Sequence, residues 1–270
     1  MLAIFRPAFV ALATRATTIS VLTLCVMMPL GAGAGAQTAT QAAVVTVAVA
    51  SNFTAPMKLI ATEFEQDTGY RVALSFGGTG SFYAQIKNGA PFDVFLAADT
   101  KTPARLVQED MALSDSHFTY AVGRLVLWSA TAGLIDDAGK VLRNPTIDRI
   151  AIADPKLAPY GAAAQEVIER LGLTHELQPK LVQGKNISQA YQFVASGNAQ
   201  IGFVALSQVF ANGELKEGSA WVVPNHDHAP IAQDAVLLRA GQGNQAADAL
   251  LAYLKTDKAR KVMKSFGYQY

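Results

Sequence analysis

Runs of apolar residues alternate with helix-like segments along most of this chain. Residues 44–49 are almost wholly apolar, which is typical of a strand buried on both faces. The segment that follows carries apolar side chains at helical spacing and ends at Gly69, a typical helix-terminating residue. Residues 71–76 and 92–97 predict two more strands with a short helix between them. The order βαβαβ predicts a parallel sheet with helices on both faces.

A second α/β unit begins near Gly123. Its predicted strands are residues 125–128, 149–153 and 200–204, and its predicted helices are residues 162–171 and 187–196. The end of the chain predicts one strand and two helices, too little for a domain of its own, so it returns to the first unit. We therefore expect an α/β protein of two lobes, each a mostly parallel sheet flanked by helices. Lobe I comprises residues 37–121 and 225–270, and lobe II comprises residues 122–224.

The predicted chain crosses between the lobes twice, near residues 121–123 and 223–226. Two-lobed sheets joined in this way close like a hinge around a ligand. Ligands of open α/β sheets bind at the carboxyl ends of the strands. The sequence therefore predicts a ligand cleft between the lobes, beside the strand ends.

The first 36 residues predict a secretory signal peptide. Arg6 and Arg15 form its positive part, residues 17–30 are almost wholly apolar, and residues 34–36 (AGA) fit the small-x-small cleavage rule. A membrane anchor is the alternative, but the apolar run is shorter than the ~20 residues that a spanning helix needs. We expect cleavage at this point and a periplasmic location for the mature protein.

Charge and cysteine content exclude several classes of function. Of the 22 Lys and Arg residues, Arg6 and Arg15 lie in the predicted signal peptide, so 20 remain against 21 acidic residues, a net charge of −1. Nucleic-acid binding needs a clustered basic excess, so we expect no nucleic-acid partner. The single cysteine, Cys25, also lies in the signal peptide, which leaves the mature protein without a thiolate nucleophile or metal ligand.

Four predicted junctions between a strand and a helix carry small hydroxyl, amide or glycine residues. A helix start offers unpaired N–H groups and about half a positive charge, which together favour an anion. Each alone is explained as a plain helix cap. The four junctions, two from each lobe, are residues 50–54 (ASNFT), 77–81 (GGTGS), 158–161 (APYG) and 184–188 (GKNIS). Their shared position in the topology predicts a cage of neutral donors around an anion.

Motifs for nucleotide binding or hydrolysis are missing from the sequence. The 77–81 loop lacks the Gly-Lys-Ser/Thr ending of a phosphate-binding loop and the Gly-x-Gly-x-x-Gly spacing, and Gly-x-Ser-x-Gly does not occur. His226 and His228 flank Asp227, but i, i+2 spacing without a third ligand favours a solvated loop over a metal site. We therefore expect no catalytic residues, no cofactor and no metal ion bound directly by the protein.

Three segments of the chain resemble the periplasmic molybdate-binding proteins of ABC transporters. They are residues 47–57 (VAVASNFTAPM), 85–99 (QIKNGAPFDVFLAAD) and 153–155 (ADP). The resemblance extends over nearly all of the mature chain. It implies the type II periplasmic-binding-protein fold and a monomeric receptor that is not an enzyme. It also implies delivery of molybdate, and of tungstate as well, to a membrane permease.

The resemblance further implies a tetrahedral oxyanion held by hydrogen bonds from both lobes. The binding loops of the family correspond to Ser51 and Asn52, to Thr79, to Tyr160 and to the backbone of Ile187. Several relatives carry a tyrosine at the end of a late strand, where this chain has Ala205. We expect the Tyr160 phenol to supply that donor from the opposite wall.

Three alternatives stay open. A receptor for another small oxyanion such as sulfate uses the same donors, and pocket radii that a sequence does not contain decide between the two. Phosphate is disfavoured because it largely keeps a proton at neutral pH, which a donor-only site cannot match. A secreted hydrolase or metal enzyme lacks its motifs. The effector lobes of a transcription regulator share this architecture but do not fit with a signal peptide.

Overall fold

The computed structural model describes residues 43–136 and 138–270. The predicted signal peptide, residues 1–36, lies outside the described residues. The strands are β1 (Val44–Ala50), β2 (Arg71–Gly77), β3 (Val94–Leu96), β4 (Phe118–Gly123), β5 (Leu125–Ser129), β6 (Ile150–Ala153), β7 (Leu181–Gly184), β8 (Ile201–Ala205), β9 (Phe210–Ala211), β10 (Glu214–Leu215), β11 (Ser219–Val222) and β12 (Ile231–Leu237). The α-helices are α1 (Thr54–Thr68), α2 (Thr79–Lys87), α3 (Lys101–Gln108), α4 (Pro159–Arg170), α5 (Thr174–Leu177), α6 (Ile187–Ala195), α7 (Leu206–Val209), α8 (Gln245–Tyr253) and α9 (Asp257–Ser265).

The first sheet has the strand order β2-β1-β3-β12-β4. Strand β1 pairs in parallel with β2 and β3, as the βαβαβ pattern predicts. Strand β12, from the end of the chain, runs antiparallel between β3 and β4. The end of the chain thus completes the first sheet, and we call the part of the protein that carries this sheet lobe I.

The second sheet, in lobe II, has the order β11-β5-β8-β6-β7. Strand β6 is parallel to β7 and β8, whereas β5 is antiparallel to β8 and β11. The predicted fold class, two sheets flanked by helices, is confirmed, although each sheet contains antiparallel pairs. Strands β4 and β7 were not predicted, because both are edge strands without the continuous apolar run that marks a central strand.

The chain passes between the two sheets at two places. Strand β4 ends in the first sheet at Gly123 and β5 begins in the second sheet at Leu125, so the first crossing is Arg124 alone. The return crossing comprises residues 223–230, between β11 and β12. The two crossings therefore differ greatly in length.

The core of lobe I surrounds α1, whose Met57, Ile60 and Phe64 are fully buried. These residues lie three and four positions apart, so their side chains share the helix face that packs on the sheet. Gly69 follows the helix in the left-handed conformation, at φ 75°, and donates its N–H to the Glu65 carbonyl. The apolar spacing and the terminating glycine in the sequence therefore correspond to this helix.

The core of lobe II includes Trp128 of β5, which is fully buried. Its ring stacks on Tyr191 of α6 at a centroid distance of 5.2 Å, and its indole N–H donates to the Glu217 carbonyl at 3.0 Å. Aromatic stacking and a satisfied indole N–H are the usual conditions for burying a tryptophan. The contact attaches α6, one of the helices that begins at the cleft, to the sheet.

Among residues 43–136 and 138–270, none of the helices has the length and hydrophobicity of a membrane-spanning segment.

Phe64 tests how much of the stability of lobe I depends on the α1 interface. Its ring packs edge-on against Tyr253 of α8, so Phe64→Ala should lower the free energy of unfolding by about 3 to 5 kcal/mol through lost burial and a cavity. Leu59→Ala on the exposed face of the same helix should change it by about 0.5 kcal/mol or less. Urea unfolding followed by circular dichroism measures both. Equal effects would contradict the assignment of the buried face.

Candidate functional site

Four loops from the two lobes meet at one small cavity. The cavity is lined by residues 50–52, 77–79, 158–159 and 186–187 together with Ala98, and its accessible volume is about 10 Å³. Pockets for organic ligands typically measure ~300–1,000 Å³. The cavity therefore suits an ion of a few atoms better than an organic molecule.

The first loop is a short 3-10 turn, Ser51–Phe53, which connects β1 to α1. The sequence suggested Ser51 and Asn52 as helix caps, but no side chain caps α1. The buried Ser51 hydroxyl makes no hydrogen bond to another described residue. The Asn52 carboxamide, in contrast, donates to Gln233 Oε1 at 2.8 Å and to the Tyr268 hydroxyl at 2.9 Å. Ser51 therefore offers a hydroxyl to the cavity, whereas Asn52 offers only its main-chain N–H.

The second loop places Thr79 at the start of α2, where its side chain is buried. The Thr79 Oγ1 atom accepts the N–H of Ala98 at 3.0 Å. Because a hydroxyl group also carries one hydrogen, Thr79 can still donate to a ligand.

The 77–81 loop also touches lobe II. The Gly80 N–H donates to the Leu157 carbonyl at 3.1 Å, and a Cβ atom added to Gly80 would lie 3.0 Å from that carbonyl oxygen. With a side chain at this position, the main chain of Leu157 would have to move by a few tenths of an ångström. Close approach of the two loops, rather than a special φ angle, therefore favours glycine here.

The third loop corrects one prediction. Tyr160 is 1% exposed, but its phenol oxygen accepts from Gln233 Nε2 at 3.1 Å, and Tyr160 is not among the residues that line the cavity. The expectation that the phenol faces the anion is therefore not met. The N–H of Tyr160 lies in the first turn of α4 and makes no hydrogen bond within the described ranges. The main chain, not the phenol, is the candidate donor of this loop.

The fourth loop presents the start of α6. Asn186 caps this helix, since its side chain accepts the N–H of Gln189 at 3.0 Å. The N–H of Ile187, in the first turn, has no hydrogen-bond partner among the residues that the structure describes, as expected for a helix start. Ser188 donates its hydroxyl across the cleft to the Ser51 carbonyl at 3.3 Å. The first and fourth loops, one from each lobe, are therefore in direct contact.

Ala205 does not contribute to the cavity. It is fully buried at the end of β8, and its N–H donates to Gln208 Oε1 at 3.0 Å. The structure thus brings the loops of Ser51, Asn52, Thr79 and Ile187 together with the start of α4. Ala205 is not among the residues that line the cavity.

Behind the Ser51–Asn52 turn lies a buried network of polar side chains that sequence reasoning missed. Its centre is Gln233 of β12, which is fully buried. The register of β12 against β4 shifts at Gln233, so that Tyr120 lies opposite no partner residue. The Tyr120 hydroxyl lies 3.0 Å from both Gln233 Oε1 and the Ala97 carbonyl. Such bulges commonly redirect a side chain beside a functional site.

No charged side chain from the described residues lines the cavity. A wider groove adjoins it and carries Lys101 and Lys156 but also Asp99 and Glu166. Burial raises the pKa of Asp99, whose carboxylate accepts the Thr102 N–H and so caps α3. Charges of opposite sign in the groove largely cancel, so the field inside the cavity comes from its neutral dipoles.

Residues 226–228 lie in the return crossing, away from the cavity lining. The His228 Nδ1 atom donates to the Ala229 carbonyl at 2.7 Å, and His226 Nε2 lies 3.6 Å from Asp227 Oδ1. In the part of the chain that the structure describes, no three His, Cys, Asp or Glu side chains are grouped as a metal site.

Comparison with known proteins identifies the family. Residues 45–269 match the family model described as bacterial extracellular solute-binding protein. The molybdate-binding protein ModA of Azotobacter vinelandii is 58% identical over 228 residues, covering 84% of this chain and 90% of that protein. ModA of Rhodobacter capsulatus is 52% identical over 224 residues, covering 83% and 87%. The chain belongs to this family of solute-binding proteins.

A solved structure of the family supports the fold directly. The periplasmic molybdate-binding protein of Azotobacter vinelandii superposes with a TM-score of 0.81 at 41% identity, covering 84% of this chain and 99% of that structure. The sequence resemblance to the family is thereby confirmed. The family consists of transport receptors, so the expectation of a protein without enzymatic activity is also confirmed.

Three tyrosines of the buried network should titrate late. Burial raises the pKa of Tyr268 to about 12 and the pKa values of Tyr120 and Tyr160 well above 10. The unfolded chain ionises its phenols near pH ~10. Because the folded pKa values are higher, the stability that these phenols contribute is present below pH ~10 and is lost as the pH rises through about 12.

Alkaline titration of tyrosinate absorbance measures this prediction. Tyr268→Phe and Tyr160→Phe should each remove one phenol from the late-titrating group. If either variant instead lacks a tyrosine that titrates near pH ~10 in the parent protein, the substituted tyrosine is not buried as described.

Proposed function

We propose that this protein is a periplasmic receptor that captures molybdate between its lobes and delivers it to the membrane permease of an ABC transporter. The observation that carries the proposal is the meeting of four helix-start loops, two from each lobe, at one cavity of inorganic-ion size. The family membership and the ModA relatives agree with it.

The chemistry of the lining favours a fully deprotonated oxyanion. Helix starts present N–H groups and the positive end of the helix dipole, which stabilise negative charge without a counter-ion. Molybdate carries no proton at neutral pH, so every oxygen can accept. Phosphate largely keeps a proton, and no carboxylate lines the cavity among the described residues to receive it. Tungstate has the same charge and shape and should bind as well.

The proposed donors come equally from both lobes. Lobe I supplies the Ser51 hydroxyl, the Asn52 N–H and the Thr79 hydroxyl, and lobe II supplies the N–H groups of Tyr160 and Ile187. No protein atom coordinates the metal directly, and no cofactor takes part. Neither lobe alone surrounds the ion, so binding requires that the lobes be closed.

The proposal also includes the processing and the assembly of the protein. The signal peptide of residues 1–36 directs export to the periplasm, where the mature protein acts as a monomer. We place lobe I at residues 43–123 and 231–270 and lobe II at residues 125–222, which moves the predicted boundary at 121 to the end of β4 and the predicted boundary at 225 to the start of β12. The lobes rotate about Arg124 and the 223–230 segment, where the chain passes from one sheet to the other.

Thermal unfolding with added anions tests the proposed ligand. A ligand that binds only the folded state stabilises it by RT ln(1 + [L]/Kd), which is ~2.7 kcal/mol at a hundredfold excess over Kd. Micromolar molybdate or tungstate should therefore raise the unfolding temperature of the mature protein, and sulfate or phosphate should raise it far less. A larger shift with sulfate would replace the proposed ligand while retaining an oxyanion receptor. No shift with any of the four would reject the receptor function.

Thr79 tests the donor set. Thr79→Ala removes a hydroxyl that can donate to the anion, and hydrogen bonds to charged groups contribute ~1.5 to 3 kcal/mol, so Kd should rise about tenfold to a hundredfold. Thr79→Ser keeps the hydroxyl and should bind nearly as tightly as the parent protein. His226→Ala, at an exposed position of the return crossing, should leave Kd unchanged. Isothermal titration calorimetry measures all three, and equal affinities of the Ala and Ser variants would exclude Thr79 as a donor.

A further inference from the structure

The buried network behind the cavity spans both lobes. Asn52, Tyr120, Gln233 and Tyr268 belong to lobe I, whereas Tyr160 and Ser207 belong to lobe II; all six are at most 4% exposed. A polar network buried this deeply is stable only when its members are hydrogen-bonded. The network therefore favours the arrangement of the lobes in which its partners meet.

Gln233 connects the anion-binding turn of lobe I to the helix α4 of lobe II. Its Oε1 atom accepts from the Asn52 carboxamide at 2.8 Å, and its Nε2 atom donates to the Tyr160 hydroxyl at 3.1 Å. One carboxamide thus holds a residue from each side of the cleft. Since the N–H groups of Asn52 and Tyr160 are both proposed anion donors, Gln233 joins two donor residues through their side chains.

A second connection supports the same turn from lobe II. The Ser207 hydroxyl donates to the Asn52 carbonyl at 2.8 Å and lies 3.1 Å from the Tyr268 hydroxyl. The Tyr268 hydroxyl in turn receives one N–H of the Asn52 carboxamide. The carbonyl and the carboxamide of Asn52 are therefore both occupied, which orients the main chain of the turn.

Gly123, the last residue of β4 before the first crossing, leaves space for this contact. A Cβ atom added to Gly123 would overlap the Tyr160 hydroxyl and the Gln233 carboxamide. The φ angle of Gly123 is not in the left-handed region, so close approach, rather than backbone conformation, requires a glycine here.

We propose that Gln233 is a positioning residue that couples anion capture to lobe closure, by holding Asn52 and Tyr160 in one hydrogen-bonded chain that is complete only when the lobes are closed. The inference rests on the proposed function, because it assigns Gln233 a role at the same site. Opening the lobes separates Gln233 from Tyr160 and admits water to both. A bound anion contacts the main chain of the same two loops, those of Asn52 and Tyr160, from the cavity side. The anion and the network therefore stabilise the same closed state.

A double-mutant cycle tests the coupling. Gln233→Met keeps the side-chain shape without hydrogen bonds, Tyr160→Phe removes only the phenol oxygen, and the exposed Gln242→Met is the matched control. Each network variant should weaken molybdate binding about tenfold, mainly through faster dissociation, because the unpaired groups cost most when water is excluded. The double variant should bind only a few-fold more weakly than the weaker single variant, because both remove the same contact. The control should bind like the parent protein.

The affinity ratio of molybdate to sulfate separates positioning from direct contact. It should be unchanged in every variant, since the network touches no anion oxygen. Additive losses of about a hundredfold in the double variant, or a changed ratio, would place the Tyr160 phenol on the anion and overturn the proposal. Unchanged affinity and dissociation rate in both single variants would also overturn it. Failure of the parent protein to bind any tested oxyanion would reject the proposed function instead.

Small-angle scattering of Gly123→Ala gives a second measurement that removes no polar group. Circular dichroism first establishes that the variant is folded. The parent protein should become more compact on adding molybdate, whereas Gly123→Ala should remain more extended at a saturating concentration, because its methyl group occupies the space of the Gln233–Tyr160 contact. Compaction equal to that of the parent would contradict the proposed role of this contact.

Discussion

A main-chain N–H group cannot be moved away from the helix that carries it, and the rest of this structure depends on that constraint. A long side chain can reach a ligand from many positions, but a helix start must itself be brought to the cavity. The parallel pairs β1–β2 and β6–β7 bring the helix starts to the cavity, because paired parallel strands end side by side and the loops that follow them enter the same cleft. The sheets therefore determine the geometry of the donor set.

The proposed site uses neutral hydrogen-bond donors in place of charged side chains, and neutral donors must be placed more precisely. A cationic side chain attracts an anion from a distance and tolerates imprecise placement, whereas dipoles act strongly only at short range and in correct orientation. The glycine at position 80 and the contact between Ser188 and the Ser51 carbonyl allow the loops to approach within hydrogen-bond distance of each other. Under the proposed function, selectivity for an unprotonated anion thus depends on how closely the two lobes pack.

The sequence predicted features that depend on neighbours along the chain. The junctions containing Ser51, Thr79 and Ile187 were found because strand, loop and helix start follow one another within a few residues. The direction of the Tyr160 phenol was not predicted correctly, because it is determined by Gln233, which lies 73 residues further along the chain. The contact of Gln233 with Asn52 spans 181 residues. The only local sign of Gln233 is a polar pair, Gln-Asp, inside an apolar strand.

The central position of β12 has a consequence for the order in which the lobes form. All strands of the second sheet lie between residues 125 and 222, so lobe II has its complete set of strands before the end of the chain is available. The first sheet lacks a strand between β3 and β4 until residues 231–237 arrive. During synthesis of the chain, the first sheet cannot be completed before β12 is available, and we expect this long-range pairing to slow the folding of lobe I. The lobe I side of the proposed anion cleft therefore depends on a strand that is synthesised last in its sheet.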